Sequence, residues 1–340
     1  MVFMQSTLTY SNIPIFIPEL ACPHQCVFCD QAKIIGLNTI PKPNEISKIV
    51  ETNLTTMDEN RIIDIAFFGG SFTGIPFELQ EEYLKEAFSF IKANRISGIR
   101  LSTRPDYIDV QRLELLKKYG VTTIELGAQS TNDNVLIKSG RGHSFKDIQN
   151  ASKLILDYGF KLGLQMMIGL PGDTFETAMQ TANDIIELGA NNTRIYPTLV
   201  IKGTALEKLY NNGIYQPLSL EVAVNWSKEI LRTFEKNNIT ILRVGLHPSE
   251  ELVDGKSLIA GPFHPSFKEM VMTEIWNDII LGNLNQAKSK NLIIKVNSKQ
   301  LNYAVGYKGK NKNQLLAKGI KVKFVGDSSF EKYQINVSNN

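Results

Sequence analysis

Short β-rich runs alternate with amphipathic helical stretches along the first two-thirds of the chain, and that alternation is what most restricts its fold. Strands are expected at residues 13–18, 62–68, 99–102, 122–126, 161–168 and 192–196. Helical patterns fill the gaps at 45–57, 78–93, 110–119, 145–158 and 175–188. In the last, Ala178, Ala182, Ile185, Ile186 and Leu188 recur at helical spacing. Strand–helix alternation specifies a parallel sheet with right-handed crossovers. Six units suit an incomplete barrel better than a closed eightfold one, and an open sheet is also compatible. Gly69-Gly70, Arg104-Pro105, Gly127, Gly169-Leu170-Pro171-Gly172 and Pro197 each follow a strand. Turn-forming residues therefore gather at one edge, the carboxyl ends of the strands, where parallel α/β architectures build their active sites. Beyond residue 196 the pattern loosens, with helices expected at 220–236 and 267–281 and a strand at 239–244.

The only three cysteines, Cys22, Cys26 and Cys29, form a C-x3-C-x2-C run just after the first strand. An odd number so tightly spaced makes a poor disulfide framework. Thiolates are soft ligands that suit zinc or iron–sulfur clusters. A structural zinc site wants four ligands, and His24 is the nearest fourth. It lies between the first two cysteines, two residues from either, which does not readily complete a tetrahedron with all three. Three thiolates on a four-iron cube leave one iron without a protein ligand, a position open to a substrate or cofactor.

A C-x3-C-x-aromatic-C run after a first strand resembles the signature of the radical S-adenosylmethionine superfamily. The resemblance implies a 4Fe–4S cluster on Cys22, Cys26 and Cys29, with S-adenosyl-L-methionine bound at the open iron and cleaved to a 5′-deoxyadenosyl radical. Phe28 would then lie near the adenine. Phe68-Gly69-Gly70-Ser71-Phe72 resembles the glycine-rich segment whose backbone meets the methionine ammonium, and small residues there permit close approach. Ser102 and Thr103 fall where a ribose contact is expected. Met167-Ile168-Gly169-Leu170-Pro171-Gly172-Asp173 resembles the segment that supports the adenine. The fold this implies is α/β, a partial (β/α)6 TIM-like barrel.

Residues 18–217 resemble more closely the catalytic subunit of the elongator complex, which modifies the wobble uridine of transfer RNA. The likeness rests on Leu101-Ser102-Thr103-Arg104-Pro105-Asp106, Ile124-Glu125-Leu126-Gly127-Ala128-Gln129-Ser130, Gly140-Arg141-Gly142-His143 and the run from Arg194 to Thr204. Carried over residue by residue, it makes Arg104, Glu125, Gln129, Arg141 and Tyr196 candidates for cofactor or substrate contacts. Among them Arg104, Arg141 and Tyr196 are expected to be catalytic, and Glu125 is placed at a strand end where it could hold the methionine ammonium. That family continues into an acetyltransferase-type domain, for which these 340 residues leave no room. Another protein is then expected to supply an acyl donor, or the reaction differs.

Charge is unevenly spread. Between residues 286 and 333 there are eleven lysines against only Asp327 and Glu331, although the whole chain carries a net charge of just +3. A basic tail on a mildly acidic body points to a polyanionic partner. Within it, strands are expected at 292–296, 320–325 and 333–337, and short helices at 301–305 and 311–318. Between the helices lies Gly306-Tyr307-Lys308-Gly309. A G-x-x-G loop in this setting resembles a small KH-type RNA-binding module, whose glycines admit a phosphate backbone. Gly306, Lys308, Gly309, Lys310 and Lys312 are the candidate RNA contacts. The expected division is a catalytic domain with a helical extension over residues 1–285 and a small α+β KH-like domain over 286–340.

These expectations converge on a radical enzyme that modifies a base in RNA, with transfer RNA uridine in view and a flavodoxin or ferredoxin as electron donor. Two alternatives stay open. One is an oxygen-independent coproporphyrinogen oxidase-like enzyme; the other is a non-catalytic iron–sulfur RNA-binding protein. Methylthiolation is disfavoured, since no cysteines are left for a second cluster. The longest apolar runs, such as residues 63–68, fall far short of the ~20 residues that cross a bilayer. The first ten residues carry no signal-like pattern, so no membrane partner and a cytoplasmic location are expected.

Overall fold

The computed structural model describes residues 9–17, 26–30, 33, 39–58, 61–284 and 289–339. Its main sheet is parallel and curls into a half-barrel. The strands are β1 (Thr9–Phe16), β2 (Arg61–Phe68), β3 (Gly98–Thr103), β4 (Val121–Gln129), β5 (Lys161–Ile168) and β6 (Asn192–Pro197), and their order in the sheet is their order in the chain. After a two-residue strand β7 (Val200–Ile201), β8 (Thr240–Val244) joins β6 as a seventh strand. The six-unit expectation therefore gains one strand at its open edge. A short β9 (Leu258–Ala260) pairs antiparallel with β7.

Helices fill the crossovers: α1 (Ile46–Leu54), α2 (Phe77–Lys92), α3 (Val110–Lys118), α4 (Asp133–Lys138), α5 (Phe145–Asp157) and α6 (Phe175–Glu187). Their starts are written in local chemistry. The Ser144 hydroxyl accepts from the Asp147 amide while the Asp147 carboxylate accepts from the Ser144 amide, a reciprocal cap that opens α5. Asp109 caps α3 through the Arg112 amide. Then follow α7 (Ala205–Asn211), α8 (Leu220–Lys236), α9 (Glu250–Val253) and α10 (Phe267–Asn283).

Strand β5 shows the alternation clearly. Leu162, Leu164, Met166 and Ile168 of β5 are buried on the helix side, in one core with Ile148, Ile155, Ala182 and Ile185. Gly163, Gln165 and Met167 therefore face the concave side. The same parity, carried through the register, puts Ser102, Glu125, Arg194 and Tyr196 on that concave face.

The C-terminal segment builds a three-stranded sheet from β10 (Asn291–Asn297), β11 (Lys321–Asp327) and β12 (Ile335–Asn339). The central β10 is parallel to β11 and antiparallel to β12. Two short helices, α11 (Leu301–Val305) and α12 (Lys310–Ala317), cover one face. Their core includes Trp276 and Ile280 of α10 alongside Ile294, Val296, Ala304 and Leu315. Helix α10 thus serves two cores, since its Phe267, Val271, Met272 and Ile275 pack into the barrel core. Among the described residues, no helix is long and apolar enough to cross a membrane.

Candidate active site

The described part of the cysteine loop, residues 26–30, is a tight turn in which the Cys29 amide donates to the Cys26 carbonyl at 3.0 Å. Cys22 and His24 lie outside the described residues. Val27 anchors the turn from two sides: its amide donates to the Ser139 carbonyl at 3.1 Å, and its carbonyl accepts from the Leu206 amide at 2.7 Å. Cys26 is buried and Cys29 half-buried, in an apolar cluster with Phe28, Leu170, Val200 and Leu206. Arg141, itself buried, directs Nη1 at the Cys26 sulfur at 3.1 Å and Nη2 at the Gly127 carbonyl at 2.6 Å. Among the described residues, no group of three His, Cys, Asp or Glu side chains is placed to hold a metal, so the two described thiols need Cys22 to complete a three-sulfur set. Their donor chemistry fits a cluster.

A second test of fit concerns the cofactor. The Nε of Arg141 is buried with no hydrogen-bond acceptor among the described residues, an orphan that an anionic ligand group would satisfy. Gln129 points the same way. It ends β4 with φ of +67°, a left-handed conformation rare for a residue with a side chain. Its Oε1 accepts from Gln165 Nε2 at 3.2 Å on the concave face. A Cβ at Gly127 would come within 3.1 Å of Gln129 Nε2 and 3.4 Å of Arg141 Nη2, so this glycine lets the two heads converge. Backbone strain of this sort is held at sites that use it.

Arg104 stands behind Arg141. Its Nη2 donates to the Arg141 carbonyl at 2.6 Å, while Nε and Nη2 each reach the Asp106 carboxylate at 2.9 Å. It therefore braces the Arg141 backbone. His143, two residues on, is buried, and burial with the Arg141 and Arg104 charges pushes its imidazole down to about 4.

Two crevices open at the carboxyl ends of the strands. One is lined by Phe28, Met167, Pro197, Leu199, Ile201 and Leu246, an apolar slot against the Phe28 ring. The other borders Phe68, Gly70, Ser71 and Ser102. Gly69 takes a φ of +96°, which suits glycine. Gly169, at +74°, is fixed by packing, because a Cβ there would lie 2.8 Å from Leu218 Cγ. Its carbonyl accepts from the Tyr215 hydroxyl at 2.7 Å, and its amide donates to Asp173 at 2.8 Å. Burial raises the Asp173 carboxyl to about 6, against the bonds it accepts from the Thr177 hydroxyl and the Gly169 amide.

Two sequence-predicted contacts are committed to the protein. The Thr103 hydroxyl is buried and shares a 2.6 Å hydrogen bond with the Thr73 hydroxyl. Glu125 lies within β4, which runs on to Gln129, rather than at a strand end. Its carboxylate is gripped by Arg100 at 2.6 Å and by Arg194 at 2.6 Å, from β3 and β6. Burial pushes this carboxyl up, but Arg194 and Arg100 outweigh that and hold it below the ordinary range. Both of its oxygens thereby accept hydrogen bonds from these two arginines. Sequence reasoning missed Arg100 and Arg194, though Arg100, like Glu125, is a lone charge between apolar neighbours in a strand. The Arg194 guanidinium also lies 5.0 Å from the Phe68 ring centre, next to half-buried Tyr196.

The C-terminal loop is docked on α10. The Tyr307 amide donates to the Thr273 hydroxyl at 2.8 Å, and the Tyr307 ring meets His264 edge-on at 5.3 Å. Lys310 pairs with Glu274. A Cβ on Gly306 would lie 2.9 Å from the Asn311 amide nitrogen, whereas one on Gly309 would meet nothing closer than 3.5 Å. Gly306 is thus required for docking, and Gly309 leaves the loop open beside exposed Lys308 and Lys312.

Known proteins agree with this picture. The Radical SAM superfamily model matches residues 17–185, and the Radical_SAM C-terminal domain model matches 190–277. A tRNA uridine(34) acetyltransferase of Methanocaldococcus jannaschii is 27% identical over 62% of this chain and 47% of its own length. The heme chaperone HemW of Bacillus subtilis is 28% identical over 56% of this chain and 52% of its own. The chain thus spans about half the length of these curated relatives. The solved structure of archaeal Methanocaldococcus infernus Elp3, lacking its N-terminus, superposes with a TM-score of 0.63 at 20% identity, over 80% of this chain and 64% of that one, and shows the shared fold. With its cysteine turn at the carboxyl edge of a parallel half-barrel and both family models matched in sequence, the chain belongs to the radical SAM superfamily, whose members use a 4Fe–4S cluster and S-adenosyl-L-methionine.

Proposed function

We propose that this protein is a radical enzyme that modifies a base in transfer RNA, with uridine as the target. Cys22, Cys26 and Cys29 would hold the cluster. When bound, cluster and cofactor supply a 5′-deoxyadenosyl radical, hard chemistry that protein side chains cannot provide. The protein's own part is to bind, orient and exclude water. Phe28, Met167 and Leu199 offer an apolar slot of the kind an adenine ring fills. Gly70 and Ser102 border the neighbouring crevice, and the Gly69-Gly70 backbone and Ser102 are assigned to the amino-acid and ribose ends. Arg141 and Gln129 converge at Gly127 and are assigned to the cofactor's charged groups, with Arg104 as the brace of Arg141. Gly169 shapes the turn after β5. Tyr196 and Arg194 face the concave side and are assigned to the substrate base, with Glu125 holding Arg194 in place.

The RNA is assigned to the unit at residues 286–340, through Lys308, Gly309 and Lys312, with Gly306 and Lys310 fixing the loop to α10. The observation that carries the RNA reading is this docking: the open, basic G-x-x-G loop is tied to the catalytic barrel by Thr273, Glu274 and His264. An electron donor such as a flavodoxin or ferredoxin, an acyl-donor protein and a cytoplasmic location complete the proposal. The test is to compare modified nucleosides in transfer RNA from wild-type and deletion strains by mass spectrometry. Loss of one modified uridine supports the reading. An unchanged nucleoside profile together with porphyrin accumulation or haem deficiency would turn it toward the haem-related alternative, which the likeness to HemW keeps in view.

A further inference from the structure

The C-terminal sheet has a second face. Leu292, Ile294 and Val296 of β10 are buried against α10, α11 and α12. Side chains alternate along a strand, so Asn291, Ile293 and Lys295 point the other way. The register sets Lys321 beside Asn291, Lys323 beside Ile293 and Val325 beside Lys295 on one flank, and Ser338 and Asn336 on the other. No element among the described residues covers this face, and Lys295, Lys321 and Lys323 are all exposed. None of the three forms an ion pair among the described residues, whereas Lys310 and Lys332 are paired with Glu274 and Glu235 of the barrel's helices. Asp327, at the far end beside Asn297, is the one acid of this face. Exposed Lys290 and Lys318 extend the charge where β10 and β11 begin, the Lys290 carbonyl accepting from the Lys321 amide at 2.8 Å.

We propose that this sheet face is a second RNA-binding surface, one that takes the phosphate backbone of a double-helical arm of the same RNA. The inference rests on the RNA reading above and adds to it a site on the opposite side of the C-terminal unit from its helices. Lysines two residues apart on a strand stand about 7 Å from each other, and the next strand lies about 5 Å away. The result is a flat array of cations, the form suited to the phosphates of an RNA helix, which is recognised by shape and backbone. The face carries no aromatic side chain, so it offers no platform for stacking single-stranded bases. Its contacts go to the backbone and are independent of sequence. An acidic protein would call for an apolar anchor at the centre, and Ile293 and Val325 provide only a small one.

The experiment measures binding of unfractionated transfer RNA to the full-length protein as a function of potassium chloride, by fluorescence anisotropy. The proteins are wild type, the triple variant Lys295→Gln/Lys321→Gln/Lys323→Gln, and the loop variant Lys308→Gln/Lys312→Gln. Each site is exposed, so all three proteins are expected to melt together. The triple variant is expected to lose roughly 10- to 100-fold in affinity at low salt and to flatten the log–log salt slope by about two units, as loss of two to three phosphate contacts requires. A short RNA duplex should compete with transfer RNA on the loop variant, and single-stranded poly(U) should not. A triple variant that matches wild type in affinity and slope, while the loop variant is impaired, overturns the second surface and leaves the RNA reading intact. Wild type that fails to bind transfer RNA overturns both. Unchanged RNA binding by the triple variant, with slowed cluster reduction by a flavodoxin, would assign the face to an acidic protein instead.

Discussion

The Arg141 guanidinium reaches a residue 115 positions away in the chain, placing Nη1 3.1 Å from the Cys26 sulfur. Its own backbone carbonyl is held by Arg104, which is held in turn by Asp106. A chain of positive charge therefore ends on one sulfur of the proposed cluster, and such hydrogen bonds tune a cluster's potential. Replacing Arg141 by Met is predicted to lower the midpoint potential of the reconstituted cluster by tens of millivolts, where ~60 mV is tenfold in a one-electron equilibrium. An EPR-monitored redox titration checks this. A potential unchanged at full iron content would show that the contact has no influence on the cluster.

Glu125 is predicted to be a structural keystone. Glu125→Gln leaves Arg100 and Arg194 sharing a buried neutral amide, and breaking a buried pair in this way costs about 3–5 kcal/mol. Urea denaturation of the variant should show a loss of that size. A loss below about 1 kcal/mol would return the carboxylate to the list of groups available for a ligand.

The two glycines of the C-terminal loop are predicted to behave differently. Gly306→Ala drives a methyl group into the Asn311 backbone and should destabilise by at least about 2 kcal/mol, through contact and strained φ together. Gly309→Ala meets only an ordinary contact with Asn313 and should cost about 1–2 kcal/mol, for its φ of +73° alone. Its larger effect should be on RNA affinity. Equal losses of melting temperature would contradict the distinction.

Much of this architecture was legible beforehand. Strand β5 falls at residues 161–168 as expected, and α5 and α3 begin at Phe145 and Val110 where the helical patterns place them. Less legible was whatever depends on neighbours distant in sequence. The bulge that carries β4 on to Gln129, and that residue's positive φ, leave no local signature. Arg100, Glu125 and Arg194 read separately as strand residues and acquire meaning only when the register aligns them. The expected boundary at residue 286 marks the change in charge, yet Trp276 of α10 already belongs to the C-terminal core.

His143 gives a pH prediction. Its imidazole is held down to about 4, by burial first and then by Arg141 and Arg104, against about 6.5 in the unfolded chain. The unfolded state therefore binds the extra proton between those values. Stability from this group is complete above about pH 6.5 and lost as pH falls toward 4, with an upper bound of about 3 kcal/mol. His143→Gln should remove that part of the acid sensitivity, measured as the urea midpoint from pH 7 to 4.5. Parallel curves for the two proteins would count against a neutral, buried His143.

The central claim is radical generation by a cluster on three cysteines. After anaerobic reconstitution with iron and sulfide, then addition of dithionite and S-adenosyl-L-methionine, the wild type is predicted to release 5′-deoxyadenosine and methionine. Cys22→Ala, Cys26→Ala and Cys29→Ala, with folding verified, are each predicted to release neither. An intact wild-type cluster with no 5′-deoxyadenosine, or undiminished release by any one of the cysteine variants, would contradict the account.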